Sequence, residues 1–161
     1  MKHLALILSL AAGVGYAAAP EEFDTSAGKL QAGGKVLYVD PAMGSYDGLP
    51  AADYILITHI HPDHMAPAIV NKLRKPDTVI LGPKTVAASV TGCTVISNGE
   101  SRPLGPFIVE AVPAYNLKPG PSGEFFHPKG RDNGYVVTYG GKRFYFSADT
   151  EGVPEVRALK H

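Results

Sequence analysis

The stretch that most constrains this chain is His59-Ile60-His61-Pro62-Asp63-His64, which follows the apolar run Asp53-Tyr54-Ile55-Leu56-Ile57-Thr58. A continuous apolar run of that length marks a strand buried on both faces. The end of such a strand fixes the backbone, and Pro62 restricts the loop that follows. Four ligating side chains on one rigid turn reach a shared point with little ordering cost. Imidazole nitrogens and a carboxylate suit zinc, with manganese or iron as alternatives. Four such ligands exceed what one catalytic ion needs while keeping an open position, so two ions are expected. The competing interpretation is a surface loop whose histidines cap the next helix, and it accounts poorly for three histidines and an aspartate at this spacing.

The rest of the chain supplies a frame for that loop. Lys35-Val36-Leu37-Tyr38-Val39-Asp40 reads as a strand stopped by Asp40-Pro41. Pro67 to Leu73 reads as a helix opened by proline. Thr78-Val79-Ile80-Leu81 is a strand, Lys84 to Val90 a short helix, and Thr94-Val95-Ile96 a strand again. Asn98-Gly99 marks a turn, and Phe107 to Val112 a longer strand. Tyr115 to Asn133 is rich in proline, glycine and charge, the signature of an ordered functional loop. Tyr135 to Tyr139 and Arg143 to Ser147 form a hairpin across Gly140-Gly141, and a helix is expected near Pro154. Strands alternating with short helices and then a hairpin give an α/β layered architecture in a single domain.

Composition narrows the function. Lys plus Arg and Asp plus Glu both number 15 in 161 residues, so no nucleic-acid partner is expected. Met1-Lys2-His3, the apolar run Leu4 to Val14 and the small residues Gly15 to Ala19 have the layout of a signal peptide. Cleavage after Ala17 is favoured, because Pro20 would follow a cut after Ala19. That predicts an exported protein, periplasmic or secreted, without a transmembrane anchor in the mature chain. Residues 1–17 are then the signal, 18–32 a poorly defined segment and 33–161 the hydrolase-type domain. Cys93, the single cysteine, reads as a small buried hydrophobe rather than a ligand or nucleophile.

Thr58-His59-Ile60-His61-Pro62-Asp63-His64 resembles the HxHxDH signature of the metallo-β-lactamase superfamily. Val39-Asp40-Pro41, Glu110-Ala111-Val112-Pro113-Ala114-Tyr115 and Phe146-Ser147-Ala148-Asp149-Thr150 follow the same family order. The likeness is to the metal-dependent hydrolase branch that contains ascorbate-6-phosphate lactonase and phospholipase D-type relatives. It implies the αβ/βα sandwich fold, represented mainly by its N-terminal half and the start of the second. It also implies roles: His59 and His61 on a first metal, Asp63 and His64 on a second, and Asp149 bridging both. Many relatives carry a histidine where this chain has Asn116, and His127 is the candidate replacement. Lys129 and Arg131 flank His127 and could receive an anionic substrate group, and Tyr115 and Asn116 could line the pocket.

The resemblance implies hydrolysis of an ester, lactone or phosphodiester-type bond in a small molecule by metal-activated water. Asp63 would orient the water or accept its proton, and no serine nucleophile is required. Relatives supply a last histidine from their second half, and this chain stops about a dozen residues after Asp149. His3 and His161 are not expected to contribute. Truncation is therefore expected, with one tightly bound metal at most, weak hydrolysis, and an apolar face that a second chain or a partner could cover. The alternative is a metal-binding or interaction protein derived from such a hydrolase.

Overall fold

In the computed structural model, residues 28–159 and the backbone of residues 22–24 are described. The expected signal segment, His3 and His161 lie outside them. Six strands form the first sheet, arranged in space in their chain order: β1 (Glu22–Asp24), β2 (Lys29–Ala32), β3 (Lys35–Val39), β4 (Ala52–Leu56), β5 (Arg74–Gly82) and β6 (Cys93–Val95). The first three are antiparallel neighbours, whereas β3, β4, β5 and β6 run parallel. Parallel neighbours need crossover connections. The helices α1 (Pro67–Leu73) and α2 (Lys84–Ala87) lie in two of these. Pro67 stands in the first turn of α1, where its missing N–H costs nothing.

The second sheet is an antiparallel meander of β7 (Ser101–Leu104), β8 (Phe107–Ala114), β9 (Asp132–Tyr139) and β10 (Lys142–Phe146). A last helical turn, α3, covers Pro154–Arg157. Gly140 and Gly141 join β9 to β10 with φ of 57° and 75°. Both values are positive, as a two-residue hairpin with the right twist demands.

Alternation along the strands sorts the core into two layers. Leu30, Leu37, Leu56, Phe107, Val109, Tyr135 and Val137 fill the space between the sheets. Tyr54 meets the Phe107 ring edge-on at 5.9 Å there. Val36, Tyr38, Ile55, Ile57 and Ile80 cover the other face of the first sheet, under Val70 and Leu73 of α1 and Val86 of α2. Each such side chain taken fully out of water contributes about 2 to 3 kcal/mol. Both faces of β4 are thus buried, as its unbroken apolar run requires.

Two expectations need correcting, and one strand, β7, had no counterpart among them. The sheet begins before residue 33, because Leu30 and Ala32 of β2 are fully buried; one large apolar residue in Lys29-Leu30-Gln31-Ala32 gave too little alternation to register. The strand expected at Thr78 starts at Arg74, directly at the end of α1. The strand β7, Ser-Arg-Pro-Leu, carries a proline that argues against a strand and is tolerated only because β7 lies at the sheet edge. Cys93 enters β6 as expected, half-buried and packed on the core beneath α2.

Candidate metal centre

The parallel strands β3 and β4 deliver their carboxyl ends to one edge of the sandwich, and the histidine loop leaves from that edge. Asp40, just past β3, has a left-handed backbone (φ 49°), and its N–H donates to the Leu56 carbonyl at 2.9 Å. Its carboxylate accepts the Thr58 N–H and the Thr58 hydroxyl, each at 2.7 Å. That hydroxyl has only one proton and gives it to Asp40. The contact between Thr58 Oγ1 and His59 Nδ1, at 2.9 Å, must then be donated by the ring nitrogen. The tautomer of His59 follows: Nδ1 carries the proton and Nε2 presents a bare lone pair. His59 is fully buried and Nε2 has no hydrogen-bond partner.

Two other histidines are oriented in the same manner. His64 Nδ1 lies 2.7 Å from Asp40 Oδ2, which turns its Nε2 towards Asp149 Oδ1 at 3.1 Å and Asp63 Oδ2 at 3.7 Å. His127 Nδ1 lies 3.0 Å from Asp132 Oδ2, and its Nε2 is 3.4 Å from Asp149 Oδ2. Asp132 is fully buried and held by Arg131, through Nε at 2.8 Å and Nη2 at 2.9 Å. Carboxylates behind histidines fix ring orientation and raise ligand basicity. His61 completes the group, its ring edge-on to both His59 and His127 at 4.7 Å.

The donor atoms fall into two groups that share Asp149. Among the described residues, His59, His61, His127 and Asp149 bring ligand atoms within 4.8 Å of one another, and so do Asp63, His64 and Asp149. Asp149 sits on the loop after β10, next to Ala148, whose φ of 55° is strained for a residue with a Cβ. Thr150 anchors that loop, its hydroxyl lying 3.1 Å from both the N–H and the carbonyl of Tyr115.

Electrostatics keep the first group ready for a cation. Burial, then the neighbouring His64, lowers the His59 pKa to about 4. Burial and then His127 also lower His61. His64 shifts upwards, chiefly through its hydrogen bond to Asp40. The donor set of the first group, three imidazoles and a carboxylate around a bare buried nitrogen, fits a divalent metal such as zinc. The second group offers one imidazole and two carboxylates.

Asn116 does not stand idle at the position where a histidine was expected. Its Oδ1 accepts the His127 N–H at 3.1 Å and its own N–H donates to the His127 carbonyl at 2.9 Å. It thereby braces the histidine that takes that place. His61, Asn116, Phe126, His127, Asp149 and Thr150 line a cleft of about 440 Å³. On the other side of Asp149, a cleft of about 500 Å³ is lined by Asp40, Asp63, His64 and Tyr145 among others.

Three of the four expected substrate residues, Tyr115, Lys129 and Arg131, do not line these clefts. Tyr115 is buried with its hydroxyl on Glu155 at 2.9 Å, and Lys129 pairs with Glu155 at 2.8 Å while lying over the Tyr115 ring. Together they tie the loop to α3, and the Lys129 charge is spent there. Arg131 supports Asp132 before any substrate. Three supporting residues, Asp40, Thr58 and Asp132, were missed as site members. Asp40 carried a signal, an aspartate ending a strand beside the motif strand, whereas Asp132 looked like one more loop charge.

Comparison with known proteins agrees with this geometry. The family model described as Beta-lactamase superfamily domain matches residues 23–161. A UPF0173 metal-dependent hydrolase of Symbiobacterium thermophilum is 28% identical over 132 residues, covering 76% of this chain and 56% of that protein. A second, from Anaeromyxobacter sp. (strain K), is 30% identical over 146 residues, covering 79% and 53%. The chain therefore spans about half the length of these relatives. A solved structure from Parabacteroides distasonis, designated a candidate metal-dependent hydrolase, superposes with a TM-score of 0.77 at 38% identity, covering 83% of this chain and 61% of that one. The fold is shared more distantly by CmlA, a diiron β-hydroxylase of Streptomyces venezuelae, at a TM-score of 0.60 and 21% identity over 78% of this chain and 28% of that one.

Proposed function

This chain belongs to the beta-lactamase superfamily, and on that premise we propose that it provides the metal centre of a hydrolase acting on an ester, lactone or phosphodiester bond of a small molecule. One observation carries the proposal: the buried His59 Nε2, deprotonated by a fixed tautomer and without a partner, faces two more imidazoles and a carboxylate. A buried polar atom left unpaired costs about 1 to 3 kcal/mol, so a fold keeps one where a ligand completes it.

His59, His61, His127 and Asp149 would hold the first ion and Asp63, His64 and Asp149 the second. Zinc suits the nitrogen-rich first group best, with manganese or iron as the alternatives. Bound there, the metal supplies Lewis-acid polarisation of the scissile bond and a lower pKa for attacking water. Asp63, with 59% of its side chain exposed beside His64, would take the proton that water releases. Asp40 holds the His64 Nδ1 proton and Asp132 the His127 Nδ1 proton, so both rings keep Nε2 turned inward. Asn116 and Phe126 form the wall against which a substrate would rest. The N-terminal sequence supports export as the setting for this activity.

The second group, with three donors and one imidazole, favours a further reading: a protein that binds one metal tightly and hydrolyses weakly. Metal analysis of the purified chain, joined to a hydrolysis panel of esters, lactones and phosphodiesters with zinc or manganese, separates the two. Metal-dependent turnover that is abolished in His61→Ala supports the hydrolase. One tightly held ion with no turnover on any class supports the weaker reading, and no bound metal at all overturns both.

A further inference from the structure

Of the residues lining the cleft beside the first donor group, Phe126 is the hydrophobic one, and 62% of it is exposed. A single exposed aromatic needs no explanation on a protein surface. This one, however, is fixed from several sides. Its carbonyl accepts Nη2 of Arg131, and the next N–H, that of His127, donates to Asn116 Oδ1 at 3.1 Å. Its ring lies so close to Gly120 that a Cβ there would stand 2.6 Å from Cε2 and 3.2 Å from Cδ2. Gly120 sits in a tight turn, its N–H donating to the Glu124 carbonyl at 2.8 Å and its carbonyl accepting the Gly123 N–H at 2.9 Å. The turn thus presents a bare backbone against which the Phe126 ring is laid.

Charge in this cleft is confined to the metal site. No Lys or Arg lines it, and its one carboxylate, Asp149, belongs to the donor set. The cations that follow Phe126 in the chain are committed elsewhere, Lys129 to Glu155 at 2.8 Å and Arg131 to Asp132 at 2.8 and 2.9 Å. Leu117 and Phe125, on the same loop, leave 48% and 43% of their surface exposed. That loop is closed at its base by the Asn116 N–H, which donates to the His127 carbonyl at 2.9 Å. The apolar ring and the His127 imidazole are therefore placed by one set of contacts.

We propose that Phe126 determines specificity by receiving an uncharged apolar group, the size of a benzoyl ring, attached directly to the bond held over the first donor group. A group seated on the ring leaves water on both sides of the contact, and aromatic pairs add a preference for offset or edge-on packing. The substrate class that follows is an ester or lactone with a bulky apolar acyl side, recognised without a charged end. Gly120 is the positioning residue, since its missing side chain lets the ring lie where it does. The substrate class rests on the hydrolase reading above, whereas the apolar contact itself can be read from binding alone.

The test titrates acetohydroxamate and benzohydroxamate, two zinc-binding probes that differ by a methyl and a phenyl group, into the zinc-loaded full chain by calorimetry. Benzohydroxamate should bind about tenfold tighter, the worth of burying one face of the phenyl group. Phe126→Ala should abolish that advantage and leave acetohydroxamate binding as it was. Gly120→Ala should weaken it too, because the new Cβ displaces the ring while Phe126 itself is kept; the Gly120 backbone lies outside the left-handed region, so alanine fits there. Zinc affinity should hold in both variants, since neither residue is a donor. Equal affinity for the two probes in the parent, or an advantage that survives Phe126→Ala, overturns the subsite and leaves the metal centre standing. Loss of zinc in Phe126→Ala also overturns it, by making the ring a support for His127. A chain that binds zinc and prefers benzohydroxamate but turns over no ester keeps the subsite and loses the hydrolase.

Discussion

Strand β4 has a carboxylate cluster at each end, and the two are built to opposite rules. At its start, Asp53 accepts the Lys75 ammonium at 2.8 Å, the Lys35 ammonium at 3.0 Å and the Val36 N–H at 2.9 Å. Charge and hydrogen bonds close on themselves there. At the other end, Asp40 accepts two bonds from Thr58 and one from His64, and the chain of bonds then runs through His59 to a bare nitrogen. A closed polar network stabilises its surroundings, whereas one left open by a single atom implies a missing partner. The same strand thus carries a structural tie at one end and a binding site at the other.

The largest effect that could break this contrast is removal of the open end. His59→Gln should lower the affinity of the first metal more than about 100-fold, beyond the 10- to 100-fold typical of outer-shell residues. Chelated protein should lose about 1 kcal/mol, the worth of the Nδ1 bond to Thr58 Oγ1, since the bare Nε2 makes no bond to lose. Calorimetric zinc titration and urea unfolding measure the two. A variant that keeps zinc affinity but loses stability would make His59 another structural tie.

Asp53→Asn is the mirror experiment. It leaves two ammonium groups facing a neutral amide, and should cost about 2 kcal/mol in urea unfolding. Zinc affinity should stay put, because Asp53 touches no group at the other end of the strand. Loss of metal along with stability would show that the two ends act as one unit.

Most of the scaffold was legible because it rests on local signals. The unbroken apolar run of β4, proline at the start of α1 and the glycine pair between β9 and β10 each state their own conformation. The six expected donor residues could be named because four crowd one turn and Asp149 follows a strand end. What sequence could not show are relations across the fold. Asn116 braces His127 through a backbone pairing between two stretches of one loop, and Asp132 matters only because β9 starts beneath His127. The Lys129 pairing was hidden for the converse reason: its partner Glu155 lies in α3, where no sequence pattern links them. Short β2 and proline-bearing β7 form only because neighbouring strands supply their pairing.

A smaller effect sharpens the comparison from inside the open cluster. Asp40→Asn keeps size but turns one of the two accepting oxygens into an amide donor and removes the charge that holds His64. Affinity of the second metal should fall about 10- to 100-fold while the first ion stays bound. The His64 pKa, raised chiefly by Asp40, should drop in the same variant, as histidine NMR titration would show. Equal loss at both groups would mean that Asp40 organises the whole edge through Thr58.

The mildest effect is in acid, where the two ends of β4 should separate by pH. His59 titrates at 6.5 when unfolded and at about 4 when folded. Between those values the unfolded chain binds a proton that the folded one refuses, so stability of the chelated protein falls as pH drops from 6.5 towards 4. His61 adds to that fall. His64 acts higher up: its raised pKa gives stability that is full below 6.5 and lost as pH rises through its folded value, so it leaves the fall below 6.5 unchanged. Asp53 acts lower down. Burial raises its pKa, but bonds from Lys75, Val36 and Lys35 outweigh that and bring it to about 2. Its contribution is therefore full above 3.8 and lost as pH falls towards 2. Unfolding free energies measured from pH 7 to 2.5 should show both slopes. His64→Gln should make the upper one shallower, because His64 helps to lower the His59 pKa, and Asp53→Asn should flatten only the lower. A lower slope that persists in Asp53→Asn would place the acid-sensitive tie somewhere other than at the start of β4.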